Sequence, residues 1–127
     1  MLLVPVALNR SPLHGLGLFT VGPVARGTPI WAFEPGFDRV FTLREFEHLP
    51  APAQAHLRHF GYLDGGAGIW VLGGDLSIFM NHSSEPTTGA PGSAGPARAT
   101  VALRDLAAGE ELTCDYRSFD AAPKPVD

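Results

Sequence analysis

Glycine and proline constrain this sequence more than any other feature, because they break it into short pieces. There are 15 glycines and 12 prolines among 127 residues, and they are spread along the whole chain. Since glycine weakens the interior of an element and proline removes a backbone donor, long helices are disfavoured. Short apolar runs between such breakers are typical of many short strands, so the sequence predicts a mainly β (α+β) domain with short helices. The predicted strands are residues 2–7, 16–21, 29–33, 69–72, 100–103 and 111–115.

Two short helices are predicted between residues 42 and 60. Thr42 and Glu45 have the spacing of a capping box, in which the hydroxyl and the carboxylate each bind an unpaired backbone N–H. Pro50 ends this first helix, and Pro52 suits the first turn of a second one. Long parallel βαβ units are missing, which disfavours a dinucleotide-binding domain of the Rossmann type.

The composition fits one folded domain and excludes several classes of protein. Apolar residues make up 45% of the chain and charged residues 17%, which allows a core and disfavours a disordered chain. The formal net charge of −4 disfavours direct binding of nucleic acid. Because Cys114 is the only cysteine, neither an internal disulfide nor a cysteine-based zinc site can form, and we expect no metal. The first residues lack the pattern of a signal peptide or a membrane span, so we expect a cytoplasmic protein.

Two segments are expected to lie outside the ordered core. Residues 83–97 are rich in proline, glycine, serine, threonine and alanine, and they predict an exposed, mobile loop. Residues 121–127 are expected to form a frayed tail, so the domain would comprise residues 1–120.

Three short segments carry residues that suit ligand chemistry. Residues 14–19 (HGLGLF) contain two glycines that would let the backbone approach a ligand closely. Residues 79–83 (FMNHS) supply the donors and acceptors of an asparagine and a histidine after an apolar run. Residues 109–116 (GEELTCDY) join a turn to a strand that ends in a tyrosine, whose hydroxyl can orient an amine. Taken singly, each segment is explained better by an ordinary turn or a core side chain.

Together and in this order, the three segments closely resemble the signatures of the SET-domain protein lysine methyltransferases, of the short stand-alone microbial and viral type. Residues 27–30 and 62–64 resemble two further landmarks, and the likeness runs from about Gly15 to Tyr116. It implies a SET fold of small curved β-sheets and a pseudoknot, in which the C-terminal segment passes through the loop that holds Asn81 and His82. It also implies S-adenosylmethionine as the methyl donor, S-adenosylhomocysteine as its product, and a protein or peptide carrying the target lysine as the partner.

The resemblance also implies a role for individual residues. Tyr116 would be the catalytic tyrosine, which holds the amine and the sulfonium in register. A narrow apolar channel would favour the neutral amine of lysine, whose usual pKa is about 10.4. The cofactor-binding residues would be Gly15, Leu16, Gly17, Leu18, Asn81, His82 and Phe119. The substrate-channel residues would be Tyr62, Cys114 and Trp70.

Three departures from the family pattern bear on this interpretation. Thr87 stands where members often carry a second asparagine, so the loop is expected to lose a bracing amide. The sequence has no cysteine-rich zinc segment, and Phe119 is the nearest aromatic residue that could close the site instead. Cys114 stands where many members carry tyrosine or phenylalanine, and its small size predicts transfer of more than one methyl group.

Two other functions stay open from the sequence. A SET-like module could bind cofactor or peptide without turnover, and a cofactor-free interaction domain would use the same segments only as turns. The substrate protein is not identified by the residues. Glu34 and Asp38 could face a basic peptide or lie on a solvated loop. A homodimer that completes a substrate groove is also open.

Overall fold

The computed structural model describes residues 1–90, 99–122 and 124, and short strands dominate this part of the chain. This confirms the predicted mainly β fold class with short helices. The strands are β1 (Val6–Arg10), β2 (Leu16–Thr20), β3 (Pro29–Ala32), β4 (Arg39–Thr42), β5 (Tyr62–Asp64), β6 (Ile69–Leu72), β7 (Asn81–His82), β8 (Thr88–Gly89), β9 (Ala99–Ala102) and β10 (Glu111–Cys114). The helices are α1 (Leu43–Glu47), α2 (Ala51–Phe60) and two 3₁₀ turns, Leu76–Phe79 and Tyr116–Ser118.

The strands of the described residues form three small sheets, with the orders β1–β2–β10–β7, β3–β9–β8 and β4–β6–β5. The pairings are antiparallel except that of β7 with β10, which is parallel. This parallel pair joins two strands that are distant in sequence. The threading of the C-terminal segment through a loop stays a prediction.

The first helix begins as its capping box predicts. The Thr42 hydroxyl accepts a hydrogen bond from the Glu45 backbone N–H at 3.0 Å, and the Glu45 carboxylate accepts one from the Thr42 N–H at 3.1 Å. The second helix begins directly after Pro50, with a proline in its first turn. Both helices therefore form where local sequence signals place them.

Two buried clusters form the core. The first lies between the sheets that contain β2 and β3, and its members are Leu18, Val24, Ile30, Ala102, Leu106 and Leu112. The second lies where the helices cover the sheet of β6. It consists of Phe46, Leu57 and Trp70, and the rings of Phe46 and Trp70 stack with centroids 4.7 Å apart.

The structure differs from the sequence predictions in several elements. The first strand is Val6–Arg10 instead of residues 2–7, because its pairing with β2 extends to Arg10 opposite Leu16. Strands β4 and β5 flank the predicted β6 and are not predicted by the sequence. The predicted loop 83–97 contains strand β8, in which Thr88 is fully buried; residues 91–97 of that prediction lie outside the described residues.

The predicted fraying of the tail does not extend to the residues directly after Asp120. The Asp120 carboxylate accepts hydrogen bonds from the N–H groups of Leu63 and Ala122, both at 3.0 Å. The Ala121 N–H donates to the Leu63 carbonyl at 2.9 Å. The tail is thus fastened to β5; residues 123 and 125–127 lie outside the described residues. No helix in the described part of the chain is long and apolar enough to cross a membrane.

Candidate active site

The parallel pair of β7 and β10 brings the central and late sequence segments together. Asn81 pairs with Thr113 and His82 pairs with Cys114, and the Ser83 N–H donates to the Cys114 carbonyl at 3.0 Å. The sequence motifs expected to meet therefore do meet.

The Asn81 side chain braces the start of β2. Its Nδ2 lies 2.9 Å from the carbonyl oxygens of His14 and Leu16 and 3.0 Å from Glu111 Oε2. An amide has two N–H donors, so these three acceptors share them, and the donor side of Asn81 is engaged within the protein. Gly17 has no side chain at this point, and a Cβ there would lie 2.4 Å from Glu111 Oε2. The glycine thus admits the Asn81–Glu111 contact.

The ring of His82 is oriented by the backbone of Tyr116. The Tyr116 N–H donates to His82 Nδ1 at 3.1 Å, so this nitrogen carries no hydrogen and the neutral ring has its hydrogen on Nε2. Asp115 Oδ1 lies 3.5 Å from the same nitrogen. In this tautomer the latter contact is not an ion pair. His82 and Tyr116 also contact through their rings, with centroids 5.3 Å apart.

Tyr116 and Cys114 are both held in their neutral forms. The Tyr116 hydroxyl donates to the Met80 carbonyl at 2.6 Å. Burial raises the pKa of Tyr116 above its usual value, and the nearby Cys114 and Asp120 act in the same direction. Burial also raises the pKa of the Cys114 thiol to about 12, with Lys124 opposing the shift and Asp115 adding to it. Neither group is a thiolate or phenolate near neutral pH.

A cavity of about 500 Å³ adjoins these two residues and has the size of a small-molecule site. Tyr62, Cys114, Tyr116 and Phe119 all line it, as their predicted roles require. The rings of Tyr62 and Phe119 meet edge to face with centroids 5.0 Å apart, and those of Tyr116 and Phe119 are 6.2 Å apart. Three aromatic rings therefore form one wall of the cavity.

Several residues with predicted site roles lie elsewhere. Asn81, His82 and the glycine-containing segment 15–18 are not among the described residues that line the cavity, although they adjoin its wall through Tyr116 and β10. Leu16 is 45% exposed, and Gly15 lies in a turn with a φ of +47°.

The roles predicted for Leu18 in cofactor binding and for Trp70 in the substrate channel do not agree with the burial of these residues. Leu18 is fully buried and lies in β2 between β1 and β10, so it offers a ligand neither its side chain nor a strand edge. Trp70 is stacked on Phe46 in the second core and does not line the cavity in the described part of the chain. Both are core residues because their strands turn these positions inward.

Asp38 is also unable to face a substrate as the sequence analysis allowed, because it is buried. Its side chain is fully buried and accepts hydrogen bonds from the N-terminal amine of Met1 and the N–H groups of Glu34 and Gly74. Glu34, in contrast, is exposed.

Thr87 braces its loop instead of weakening it, so the expected loss of bracing is wrong. Its hydroxyl donates to the Glu111 carbonyl at 2.9 Å and accepts from the Thr113 N–H at 2.9 Å. The Thr87 N–H donates to the Thr113 hydroxyl at 3.0 Å. Two threonines on neighbouring segments thus replace the amide that the family pattern would place here.

Sequence reasoning missed two charged residues beside the cavity. Lys124 lines it, and the Lys124 Nζ donates to the Gly61 carbonyl and to Asp120 Oδ2 and lies 5.6 Å from the centroid of the Tyr116 ring. The Asp120 side chain is only 2% exposed. No local pattern signals either residue, because the contacts join the tail to the end of α2.

The fold and the site together define a small β domain with a tyrosine-lined ligand cavity at the meeting of two distant strands. A family model described as the SET domain matches residues 15–117, which is most of the chain. The chain therefore belongs to the SET-domain family. This membership supports lysine methyl transfer as the general class of activity.

Solved structures show the same fold at low sequence identity. The chain is similar to a humanized mutant of the Chaetomium thermophilum Polycomb Repressive Complex 2 bound to an inhibitor, with a TM-score of 0.66 and 24% identity over 95% of this chain and 17% of that one. It is similar to a candidate histone methyltransferase of Plasmodium falciparum, with a TM-score of 0.60 and 18% identity over 89% of this chain and 93% of that one. It is also similar to an active Polycomb Repressive Complex 2 in the basal state, with a TM-score of 0.65 and 21% identity over 89% and 15% of the two chains. A search of curated protein sequences finds no match.

Proposed function

We propose that this chain transfers a methyl group from S-adenosylmethionine to the side-chain amine of a lysine in a protein or peptide. The observation that carries the proposal is the position of Tyr116. Its ring and the small Cys114 thiol line one cavity of ligand size, next to His82, in a chain that belongs to the SET-domain family.

The residues of the cavity fit a cationic methyl donor. The face of the Tyr116 ring already accepts a cation, since the ammonium of Lys124 lies 5.6 Å from its centroid. The buried polar atoms Trp31 Nε1 and Thr100 Oγ1 have no hydrogen-bond partner in the described part of the chain, and both residues line the cavity. Tyr116 and Phe119 would hold the donor, with Asn81 and His82 bracing the adjoining wall. When bound, the donor supplies an electrophilic methyl group on a sulfonium.

Tyr116 orients the amine as an acceptor. Its single hydroxyl hydrogen is engaged by the Met80 carbonyl, so the oxygen lone pairs are what it presents to an incoming amine. An N–H of the amine that donates to this oxygen fixes the direction of the nitrogen lone pair. Because its raised pKa keeps Tyr116 protonated, it acts by positioning and not as a general base.

Cys114 and the aromatic wall set the space around the amine. The buried thiol is smaller than the phenol that many relatives carry, and it leaves room for an amine that already bears a methyl group. Tyr62 and Phe119 line the cavity with contacting aromatic rings, and such an apolar wall favours the neutral amine by desolvation. We therefore expect more than one methyl group to be transferred to an external substrate.

Calorimetric titration with S-adenosylmethionine, followed by a labelled-methyl assay on a host lysate, tests the proposal. Tyr116→Phe should lower methyl transfer on the order of a hundredfold while donor affinity stays nearly unchanged, because only an orienting oxygen is removed. Trp70→Phe is the matched aromatic control and should leave turnover per folded molecule intact. Donor binding without transfer would favour a binding module, and no donor binding would favour an interaction domain.

The substrate is expected to be a basic segment of a protein. The net charge of −4 and the exposed Glu34 favour a positively charged partner over nucleic acid. Identification of the labelled protein in the lysate, with Tyr116→Phe as the background, names it. A cytoplasmic location and a homodimer stay predictions.

A further inference from the structure

A lysine of the chain itself lies in the proposed active site. The Lys124 Nζ donates to the Gly61 carbonyl and to Asp120 Oδ2, and it lies 5.6 Å from the centroid of the Tyr116 ring. The Lys124 side chain is only 12% exposed. An amine of the chemical type that the proposed reaction consumes therefore already occupies the cavity.

Lys124 is the only lysine in the sequence. The nine basic residues of the chain comprise eight arginines and this one lysine. An arginine at any other position supplies positive charge without an alkylamine that could compete as methyl acceptor. The chain thus presents one Nζ to its own active site.

The tail is fastened so that this amine stays close. Asp120 binds the N–H groups of Leu63 and Ala122 through Oδ1, and it pairs with Lys124 through Oδ2. The Ala121 N–H donates to the Leu63 carbonyl. Such a tether makes the encounter of amine and site intramolecular, with a high effective concentration.

We propose that Lys124 is a methyl acceptor in cis, so that the chain methylates its own tail. This inference rests on the proposed function and names a substrate for the same site. The ammonium first loses one proton to solvent water. The Nζ lone pair then forms a bond to the methyl carbon of a sulfonium donor while the carbon–sulfur bond breaks, and the electron pair stays on sulfur, which leaves as a neutral thioether. The product is a monomethylated ammonium, which already carries the positive charge and pairs again with Asp120.

The two acceptors beside Lys124 are compatible with the product. An ammonium has three N–H donors, of which Gly61 and Asp120 use two. A monomethylated ammonium keeps two donors. Transfer of the first methyl group therefore leaves both hydrogen bonds, to Gly61 and to Asp120, possible.

Incubation of the purified chain with S-adenosylmethionine and no other substrate tests the reaction. Intact-mass and peptide mass spectrometry should find a methyl increment on Lys124, with a rate constant per molecule that does not depend on protein concentration. Tyr116→Phe should lose the increment. As a placement control, Arg10→Lys combined with Lys124→Arg moves the only lysine to an exposed site on β1 and should stay unmethylated.

A measurement without the methyl donor tests whether the Lys124 amine lies in the cavity. An amine-acylating ester should modify Lys124 roughly tenfold or more slowly in the native chain than in urea, because the amine is buried and paired. Asp120→Asn keeps an oxygen for the N–H groups of Leu63 and Ala122 but removes the charge, so it should speed this labelling.

The outcomes separate the two proposals. Methylation of a lysate protein while Lys124 stays unmodified overturns the inference and leaves the proposed function standing. A Lys124 methylation rate that rises with protein concentration overturns the cis step. Equal rates of Lys124 acylation in native and unfolded chains would show that the Lys124 amine does not lie buried in the cavity. No transfer to any lysine contradicts both proposals.

Discussion

Replacing Gly17 by alanine would place a methyl group against the contact between Asn81 and Glu111. A Cβ at residue 17 would lie 2.4 Å from Glu111 Oε2 and 3.0 Å from Asn81 Nδ2. Neither neighbour moves freely, because the amide also binds two backbone carbonyls and the carboxylate binds the Ser11 hydroxyl at 2.9 Å. The substitution must therefore shift the backbone of β2 or displace the carboxylate.

Both routes predict a loss of similar size. Overpacking a close contact costs about 1–3 kcal/mol in the free energy of unfolding. If Glu111 moves away instead, the hydrogen bond from Asn81 to a charged acceptor is lost, which costs about 1.5–3 kcal/mol. We expect Gly17→Ala to lower the free energy of unfolding by about 2 kcal/mol and Tm by roughly 8 °C.

Urea and thermal denaturation of Gly17→Ala and Gly22→Ala measure this effect. Gly22 is the matched control, because a Cβ there meets nothing within 4 Å and its φ is not positive. In a Glu111→Ala background the obstructing carboxylate is gone, so the cost of Gly17→Ala should shrink by about 1 kcal/mol or more. Equal costs for the two glycine variants, or the same cost in both backgrounds, would refute the reasoning.

Four further outcomes are expected. Burial raises the pKa of Cys114 from its ordinary value of 9.0 to about 12, so above pH 9 the unfolded chain loses this proton first and stability falls. The decline is up to about 1.4 kcal/mol per pH unit between pH 9 and 12, and urea titrations of Cys114→Ala should lack this part of it. Thr113→Val removes the hydroxyl that binds the Thr87 N–H and should cost about 1–3 kcal/mol of stability in the same titrations. Trp70→Phe should lower the free energy of unfolding by about 1–3 kcal/mol and leave KM unchanged. A changed KM at unchanged stability would instead support the predicted role of Trp70 in the substrate channel. Mass spectrometry of an external product should find dimethylated or trimethylated lysine, and strictly monomethylated lysine at long times would contradict the role of Cys114.

Local signals in the sequence predict the elements that depend on local interactions. The capping box of Thr42 and Glu45 gives the start of α1, and the apolar segments at β2, β6 and β10 give strands in nearly their observed positions. The short strands β7 and β8 have two residues each, too few for a periodic pattern. They exist because distant strands supply their hydrogen bonds, which a local pattern does not encode.

The same distinction applies to the site. The motif residues Asn81, His82 and Tyr116 are brought together as predicted, because the resemblance carries information about a non-local pairing. For Trp70 the resemblance gives a residue type near the site but not the face of β6 on which it lies. The structure places it beside Phe46. Alternate positions on a strand face opposite sides, so such an error is one of orientation and not of location along the chain.

The buried charge of Asp120 predicts a preference for a cation at the position that Lys124 occupies. Its side chain is 2% exposed, and its charge is paired with Lys124. Removing one partner of a buried ion pair typically costs about 3–5 kcal/mol, because the remaining charge stays desolvated. A neutral or anionic ligand that displaced Lys124 would carry this cost. A substrate lysine that enters as an ammonium would replace the lost charge and the donor to the Gly61 carbonyl, so the exchange is nearly balanced. Asp120 and Gly61 are therefore expected to accept another lysine at the position of Lys124 and to disfavour neutral or anionic side chains.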